Sequence, residues 1–194
     1  MIVWVDIETT GLDWKKELLL EIAVVITDDE LNEAESYSRV IHHPMPRLNK
    51  AIRRMNDYVL NMHTSSGLLG EIAQGMGKDH GVVESEILEM LDRHGLRENL
   101  LMAGSSVHFD RRMLETRMPK LSQRFGYRIL DVTSFSEVAR RWMKSVYWSL
   151  SEASGKAEHR AYADILSSIQ RMADYRRLIL TDESDLYIRS TRGE

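Results

Sequence analysis

An apolar run at the start of the chain carries two acidic side chains, and this run constrains the fold more than any other feature. Residues 2–8 alternate two sets of side chains: Val3, Val5 and Ile7 in one, and Trp4, Asp6 and Glu8 in the other. Side chains two apart on a β-strand share a face, so Asp6 and Glu8 should point the same way from one strand. Acidic side chains are rarely buried unless they are paired or bind a cation. The pattern therefore predicts a site for a hard divalent cation with oxygen ligands, of a kind used in phosphoryl transfer.

Hydrophobic periodicity predicts strands first and an alternation of helices and strands afterwards. Apolar and alternating runs predict two more strands, 18–28 and 36–44, which would form an antiparallel meander with the first. From residue 49 the pattern is helical. The later segments predict these elements in order: a helix with an apolar stripe over 83–91, a strand at 100–106, a helix that ends at Pro119, a strand at 128–132, a helix at 134–143 and a final helix at 161–173. This order predicts an α/β fold with a mixed sheet flanked by α-helices.

Length and composition narrow the class of protein. A chain of 194 residues fits one domain, predicted over 1–180, with a polar tail at 181–194. The absence of cysteine excludes disulfides and zinc–thiolate sites. With no signal peptide and no apolar run near 18 residues, we expect a cytoplasmic protein with no membrane partner. The net charge of −4 argues against a long groove that neutralises many phosphates, but allows a short nucleic acid held by metal ions.

Two further acids and a histidine are candidates for the same site. Asp110 lies three and four residues before two apolar residues, which turns its carboxylate toward the core, although a simple N-cap role is an alternative. Asp164 flanks the apolar stripe of the final helix in the same way. His159 precedes Asp164 by five residues, about 140° apart on one helix, so we place it in the loop before that helix. An imidazole suits a general base near neutral pH, and an ordinary surface histidine is the alternative. Residues 145–157 lack a clear period and predict a loop that approaches His159.

The order and spacing of five sequence blocks resemble the oligoribonucleases, a branch of the DEDDh 3′→5′ exonucleases with an RNase H-like fold. The blocks are DIETTGLD (6–13), HTSSGL (63–68), AGSSVHFDRRML (103–114), YRILDVTSFSEVARRW (127–142) and HRAYADI (159–165). The first block alone would indicate only the wider exonuclease superfamily.

The resemblance implies a role for each candidate residue. It implies that two Mg²⁺ or Mn²⁺ ions are held by four carboxylates, with Asp6 bridging both: Asp6, Glu8, Asp110 and Asp164. Two such ions stabilise the attacking and leaving oxygens of an in-line displacement. His159 would take the proton from the attacking water. The products would be a 5′-mononucleotide and an RNA shortened from its 3′ end.

The resemblance also implies a substrate of short single-stranded RNA, 2–5 nucleotides long and especially dinucleotides. Leu12 and Tyr58 would contact the bases. The 5′ phosphate would be bound by Ser106, Arg128 and Thr133. His63 and Ser66 lie in a matched block and would line the pocket. Tyr127 would reach the site of a second protomer, which implies a homodimer.

Each substrate contact has a simpler alternative. Tyr58 could pack in the core, Leu12 could be an ordinary turn residue, and Arg128 could be a surface cation. Three positions depart from the family pattern: Ser105 replaces an asparagine, Tyr58 a tryptophan, and Tyr162 a smaller aliphatic residue.

Two other functions are open at this point. One is a broader DEDDh exonuclease that acts on single-stranded DNA or longer RNA. The other is a non-catalytic nucleic-acid-binding protein that kept the fold, which would predict a missing ligand or base.

Overall fold

A five-stranded mixed sheet organises the molecule. The computed structural model describes residues 1–153 and 158–179, so the predicted tail at 181–194 and the end of the 1–180 domain lie outside the described residues. The strands are β1 (Ile2–Thr9), β2 (Leu19–Thr27), β3 (Glu33–Val40), β4 (Leu100–Gly104) and β5 (Phe125–Asp131). Their order is β3-β2-β1-β4-β5, in which β1–β2 and β2–β3 are antiparallel and β1–β4 and β4–β5 are parallel. The predicted meander and mixed sheet are confirmed.

Helices cover both faces of this sheet. They are α1 (Met45–Ile52), α2 (Asp57–Ser65), α3 (Leu68–Ala73), α4 (His80–Arg93), α5 (His108–Arg117), α6 (Pro119–Ser122), α7 (Val132–Trp142), α8 (Lys144–Ala153) and α9 (Ala161–Ile179). The first helix begins four residues earlier than predicted. Pro46 lies in its first turn, where the missing amide hydrogen costs no helical hydrogen bond. Among the described residues, no helix is both long and apolar enough to cross a bilayer.

The predicted loop at 145–157 is wrong over its described part, because α8 occupies Lys144–Ala153. Leu150 is buried in a cluster with α9, and Val146 and Tyr147 pack against the same cluster. Their spacing of three and four residues is helical, but the serines at 145, 149 and 151 obscure the apolar pattern in the sequence. Residues 154–157 lie outside the described residues.

The sheet register sets which side chains share a face. Val3, Val5 and Ile7 pack in a cluster with residues of α4 and α5. Trp4 lies on the opposite face, in a cluster with residues of α7, α8 and α9. In the β1–β2 pair, Glu8 lies directly opposite Glu21, so both carboxylates are on the α9 face at the end of β1.

Candidate active site

Three of the predicted acids meet at the end of β1. Asp6 and Glu8 extend from β1, and Asp164 extends from the first turn of α9. One carboxylate oxygen from each lies within 4.8 Å of the other two. The sheet supplies two of these ligands and the helix packed on it supplies the third, so the predicted convergence of these three acids is present.

Asp110 lies beside this group but is not one of the three. It is in the first turn of α5, where it is 5% exposed. Its carboxylate accepts a hydrogen bond from the backbone amide of Ile7, and its charge contributes to a raised pKa of Asp6. The N-cap alternative is wrong, because Val107 occupies the N-cap of α5.

Burial raises the pKa values of all four acids, and neighbouring negative charges add to the effect. Burial is the largest cause for Glu8, whose pKa rises to about 8, followed by the charges of Asp164 and Glu21. The pKa values of Asp6 and Asp110 are well above their usual range, mainly through burial, and that of Asp164 is raised for the same reason. These are hard oxygen donors whose repulsion is offset only in part, by Arg160 near Glu8 and by His159 near Asp164, and divalent cations would relieve the rest. The residues therefore fit the hard divalent cation predicted from the sequence.

His159 lies between two cavities. It is in the loop before α9, as predicted, and its backbone has a φ of +53°, which is disfavoured for a residue with a Cβ. One cavity of about 320 Å³ also contains Asp6 and Asp164. The other, of about 430 Å³, also contains Tyr58 and Ser66. The imidazole thus borders both the acidic cavity and the cavity that carries the predicted base contacts.

The predicted base contacts are exposed. Tyr58 is 69% exposed near the start of α2, which makes the core-packing alternative wrong. Leu12 is 82% exposed in the turn after β1. Both apolar surfaces are therefore free to meet a base.

His63 is fully buried beneath Glu8 and does not line the surface of either cavity described above. Its Nε2 donates to the carbonyl of Thr9 at 2.8 Å, and its Nδ1 lies 3.8 Å from Oε2 of Glu8. Burial lowers the pKa of His63 and so favours the neutral ring, in which Nδ1 carries the lone pair because Nε2 is the donor. This atom has no hydrogen-bond partner among the described residues. His63 therefore contacts β1 and Glu8 instead of lining the pocket as predicted.

The predicted phosphate contacts lie just after β4 and in or just after β5. The hydroxyls of Ser106 and Thr133 are 3.1 Å apart, and the backbone amides of both residues donate to Oδ1 of Asp131 at 2.9 Å. Arg128 and Tyr127 are exposed on the edge strand β5, with the guanidinium 5.1 Å from the centre of the Tyr127 ring. The structure places the hydroxyls of Ser106 and Thr133 together, and Arg128 lies on the edge strand β5.

Two of the departures from the family pattern have structural partners. The hydroxyls of Ser105 and Ser168 are 2.8 Å apart, which joins the loop after β4 to α9 within the acidic cavity. The hydroxyl of Tyr162 donates to Glu33 at 3.2 Å. Because Glu33 begins the edge strand β3, this contact holds Tyr162 on the sheet.

Sequence reasoning missed an arginine and two glutamates beside the acids. Arg160 follows His159 and binds two carboxylates, those of Glu21 and Glu71. Glu21 is 3% exposed. Glu21 is the one acid among the apolar residues 19–27, and this was the signal in the sequence that could have revealed it.

Comparison with known proteins assigns the family. The exonuclease family (RNase_T) matches residues 3–172. The oligoribonuclease of Leifsonia xyli subsp. xyli is 39% identical over 183 residues, which cover 94% of this chain and 85% of that protein. The chain belongs to the oligoribonuclease family. A probable oligoribonuclease of Dictyostelium discoideum is 36% identical, and the match covers 90% of this chain and 87% of that protein. The family prediction is confirmed, and this member of the oligoribonuclease family is a nuclease.

Solved structures confirm the RNase H-like fold of this oligoribonuclease-family chain. Exonuclease I of Methylocaldum szegediense superimposes with a TM-score of 0.66 at 18% identity, covering 93% of this chain and 41% of that one. Escherichia coli exonuclease I, in a complex with single-stranded DNA and zinc, superimposes with a TM-score of 0.65 at 15% identity. The match covers 96% of this chain and 42% of that one. The chain spans about two fifths of these exonuclease I chains.

Proposed function

We propose that the chain is a cytoplasmic 3′→5′ exoribonuclease that hydrolyses short oligoribonucleotides, especially dinucleotides, to 5′-mononucleotides. The observation that carries this proposal is the convergence of Asp6, Glu8 and Asp164 beside His159. The oligoribonucleases that resemble the chain over almost its whole length support the choice of substrate.

Asp6, Glu8, Asp110 and Asp164 would hold two divalent cations, Mg²⁺ or Mn²⁺. When bound, these ions would activate the attacking water and stabilise charge on the phosphoryl oxygens. Four carboxylates roughly balance two dications, so the substrate phosphate would not be repelled by a net negative site. This balance allows a chain of net charge −4 to bind RNA.

His159 would act as the general base. It borders the cavity that contains Asp6 and Asp164, and its place in a loop leaves the ring free of helical packing. The ring would accept the proton of the attacking water at one imidazole nitrogen. The neighbouring carboxylate of Asp164 would stabilise the imidazolium that results.

Substrate length would be limited at the 5′ end. Bases would stack on Tyr58 and Leu12, a contact that tolerates any base. The paired hydroxyls of Ser106 and Thr133, with Arg128, would bind a terminal phosphate. His63 would position β1 behind Glu8, and Ser66 would line the base cavity. A longer strand would meet the phosphate contacts and bind less well.

The proposed assembly is a homodimer formed through the edge strand β5. Tyr127 is 81% exposed there and Ile129 is also exposed, so the edge presents apolar side chains beside unpaired backbone groups. Tyr127 would reach the site of the partner protomer.

Hydrolysis of a 5′-phosphorylated diribonucleotide tests the proposal. The assay is run with Mg²⁺, with Mn²⁺ and with EDTA, beside a 20-mer RNA and a 20-mer DNA. Fast metal-dependent release of mononucleotides from the dinucleotide, with slow attack on both 20-mers, is expected. Equal or faster degradation of the 20-mers would instead establish the broader exonuclease. Metal binding without hydrolysis of any substrate would establish the non-catalytic alternative.

A further inference from the structure

The guanidinium of Arg160 joins three elements next to His159. It donates to both carboxylate oxygens of Glu21, from Nε to Oε2 at 3.1 Å and from Nη2 to Oε1 at 2.9 Å. It also donates to both oxygens of Glu71, from Nη1 to Oε1 at 2.8 Å and from Nη2 to Oε2 at 3.0 Å. Glu21 belongs to β2, Glu71 to α3, and Arg160 directly precedes α9. Paired two-point contacts of this kind fix a planar guanidinium in orientation as well as position.

Glu21 also fixes the first turn of α9. Its Oε2 accepts a hydrogen bond from the backbone amide of Ala161 at 3.1 Å, so a buried carboxylate on the sheet caps the helix N-terminus. The backbone carbonyl of Arg160 then accepts from the amide of Asp164 at 3.0 Å. This chain of contacts connects the sheet to the helical turn that carries Asp164.

The same contacts restrain His159. Its φ of +53° is unfavourable without neighbouring contacts that hold the backbone there. On its C-terminal side, Arg160 and Ala161 provide two anchors to Glu21. Glu71 extends the restraint to α3, which contacts α2, the helix that carries Tyr58.

We propose that Arg160, held by Glu21 and Glu71, is a positioning residue that sets where His159 and Asp164 stand relative to Asp6 and Glu8. Arg160 does not contact the substrate; it acts through the backbone that flanks the base. The inference rests on the proposed function for its catalytic consequence. Its structural consequence, a restrained 158–165 segment, holds in the metal-free protein whatever the substrate.

Arg160→Gln is the principal test. On the dinucleotide, kcat should fall about 10- to 100-fold with KM within about threefold of wild type, because displacement of a base by about 1 Å costs that much. Arg177→Gln is the matched control: it lies on the same helix, and its ion pair with Asp174 is exposed. Arg177→Gln should leave kcat and KM unchanged.

Hydrogen exchange on the metal-free proteins gives a readout that does not depend on activity. Arg160→Gln should raise exchange in the peptide 158–165 and leave the 19–27 strand at the wild-type rate. Exchange that is unchanged in 158–165, or raised equally in both segments, would overturn the proposal. If the wild type hydrolyses no oligonucleotide, the proposed function is wrong. Hydrogen exchange still shows whether Arg160 restrains the 158–165 segment.

Two more variants keep the test decisive. Arg160→Lys retains the charge but cannot make two-point contacts with both carboxylates, so its kcat should stay low. A wild-type kcat for this variant would overturn the proposal. If Arg160→Gln does not fold, Glu71→Gln takes its place in the test. Glu71 is partly exposed, and its substitution leaves the contact between Arg160 and Glu21 intact. A kcat at least threefold below that of Arg177→Gln supports the proposal, and an equal kcat overturns it.

Discussion

His159 and Arg128 can be tested separately because their expected effects fall on different kinetic constants. His159 borders the acids, where bonds to phosphorus would change. Arg128 lies on the edge strand β5, where it would contact only a terminal phosphate. At the residue scale we therefore expect one variant to slow the chemical step and the other to weaken binding.

His159→Ala should lower kcat on a dinucleotide by about 10²- to 10⁴-fold, the usual contribution of a general base. Steady-state hydrolysis with saturating Mn²⁺ measures the effect. His80→Ala, which removes an exposed histidine at the start of α4, is the control and should keep wild-type activity. A kcat within threefold of wild type for His159→Ala would contradict the assignment of the base.

Arg128→Ala should raise KM for a 5′-phosphorylated dinucleotide by about tenfold or more, since a charge-assisted hydrogen bond is worth about 1.5–3 kcal/mol. The effect should disappear on a dinucleotide that lacks the 5′ phosphate. An unchanged KM on the phosphorylated substrate would remove Arg128 from the proposed phosphate contacts.

At the element scale, one short helix of this chain depends on a side chain from another element. The short helix α6 has no side-chain hydrogen bond from its own N-cap residue. Glu84 of α4 instead accepts hydrogen bonds from the amides of Lys120 and Leu121, at 2.8 and 3.0 Å. Glu84 is 7% exposed, so water cannot readily replace it.

Glu84→Ala should therefore lower the free energy of unfolding by about 2–3 kcal/mol, because it leaves two amides at a helix N-terminus without their acceptor. Urea unfolding measures this change. Glu84→Gln keeps one acceptor oxygen and should cost less. The kcat of both variants should match wild type, since α4 packs on the sheet face opposite Trp4 and α9. A loss of kcat without a loss of stability would contradict this account.

At the scale of the whole molecule, the buried acids make stability depend on pH and on metal. A raised pKa in the folded state means that the folded protein binds protons more tightly than the unfolded chain. The stability contribution of Glu8 is then fully present below its unfolded pKa of about 4.5 and is lost as pH rises through about 8. Asp6, Asp110 and Asp164 act in the same direction.

We expect the metal-free protein to lose stability as pH rises from about 4.5 to about 8, and Mn²⁺ to reduce this loss. Thermal unfolding at several pH values, with EDTA or Mn²⁺, measures the slope. Glu8→Gln removes one titrating group and should flatten the slope in EDTA. An unchanged slope in Glu8→Gln would contradict the raised pKa of Glu8.

Local periodicity explains why the sequence predicted most of the fold. Strand alternation is set by backbone geometry, so residues 2–8 predicted both the strand and the common direction of Asp6 and Glu8. The prediction was wrong for α8, where packing against α9 stabilises a helix whose apolar positions are diluted by serines. The roles of His159 and of the substrate contacts stay predictions.

The sequence by itself determined the strands and most of the amphipathic helices, because these depend on the order of side chains along a short segment, and the order and spacing of five blocks determined the family. Tertiary structure decided which charges meet. Arg160 and Glu21 are 139 positions apart, and Arg160 and Glu71 are 89 apart. No local pattern encodes such contacts, since they arise only when β2, α3 and α9 pack around the end of β1.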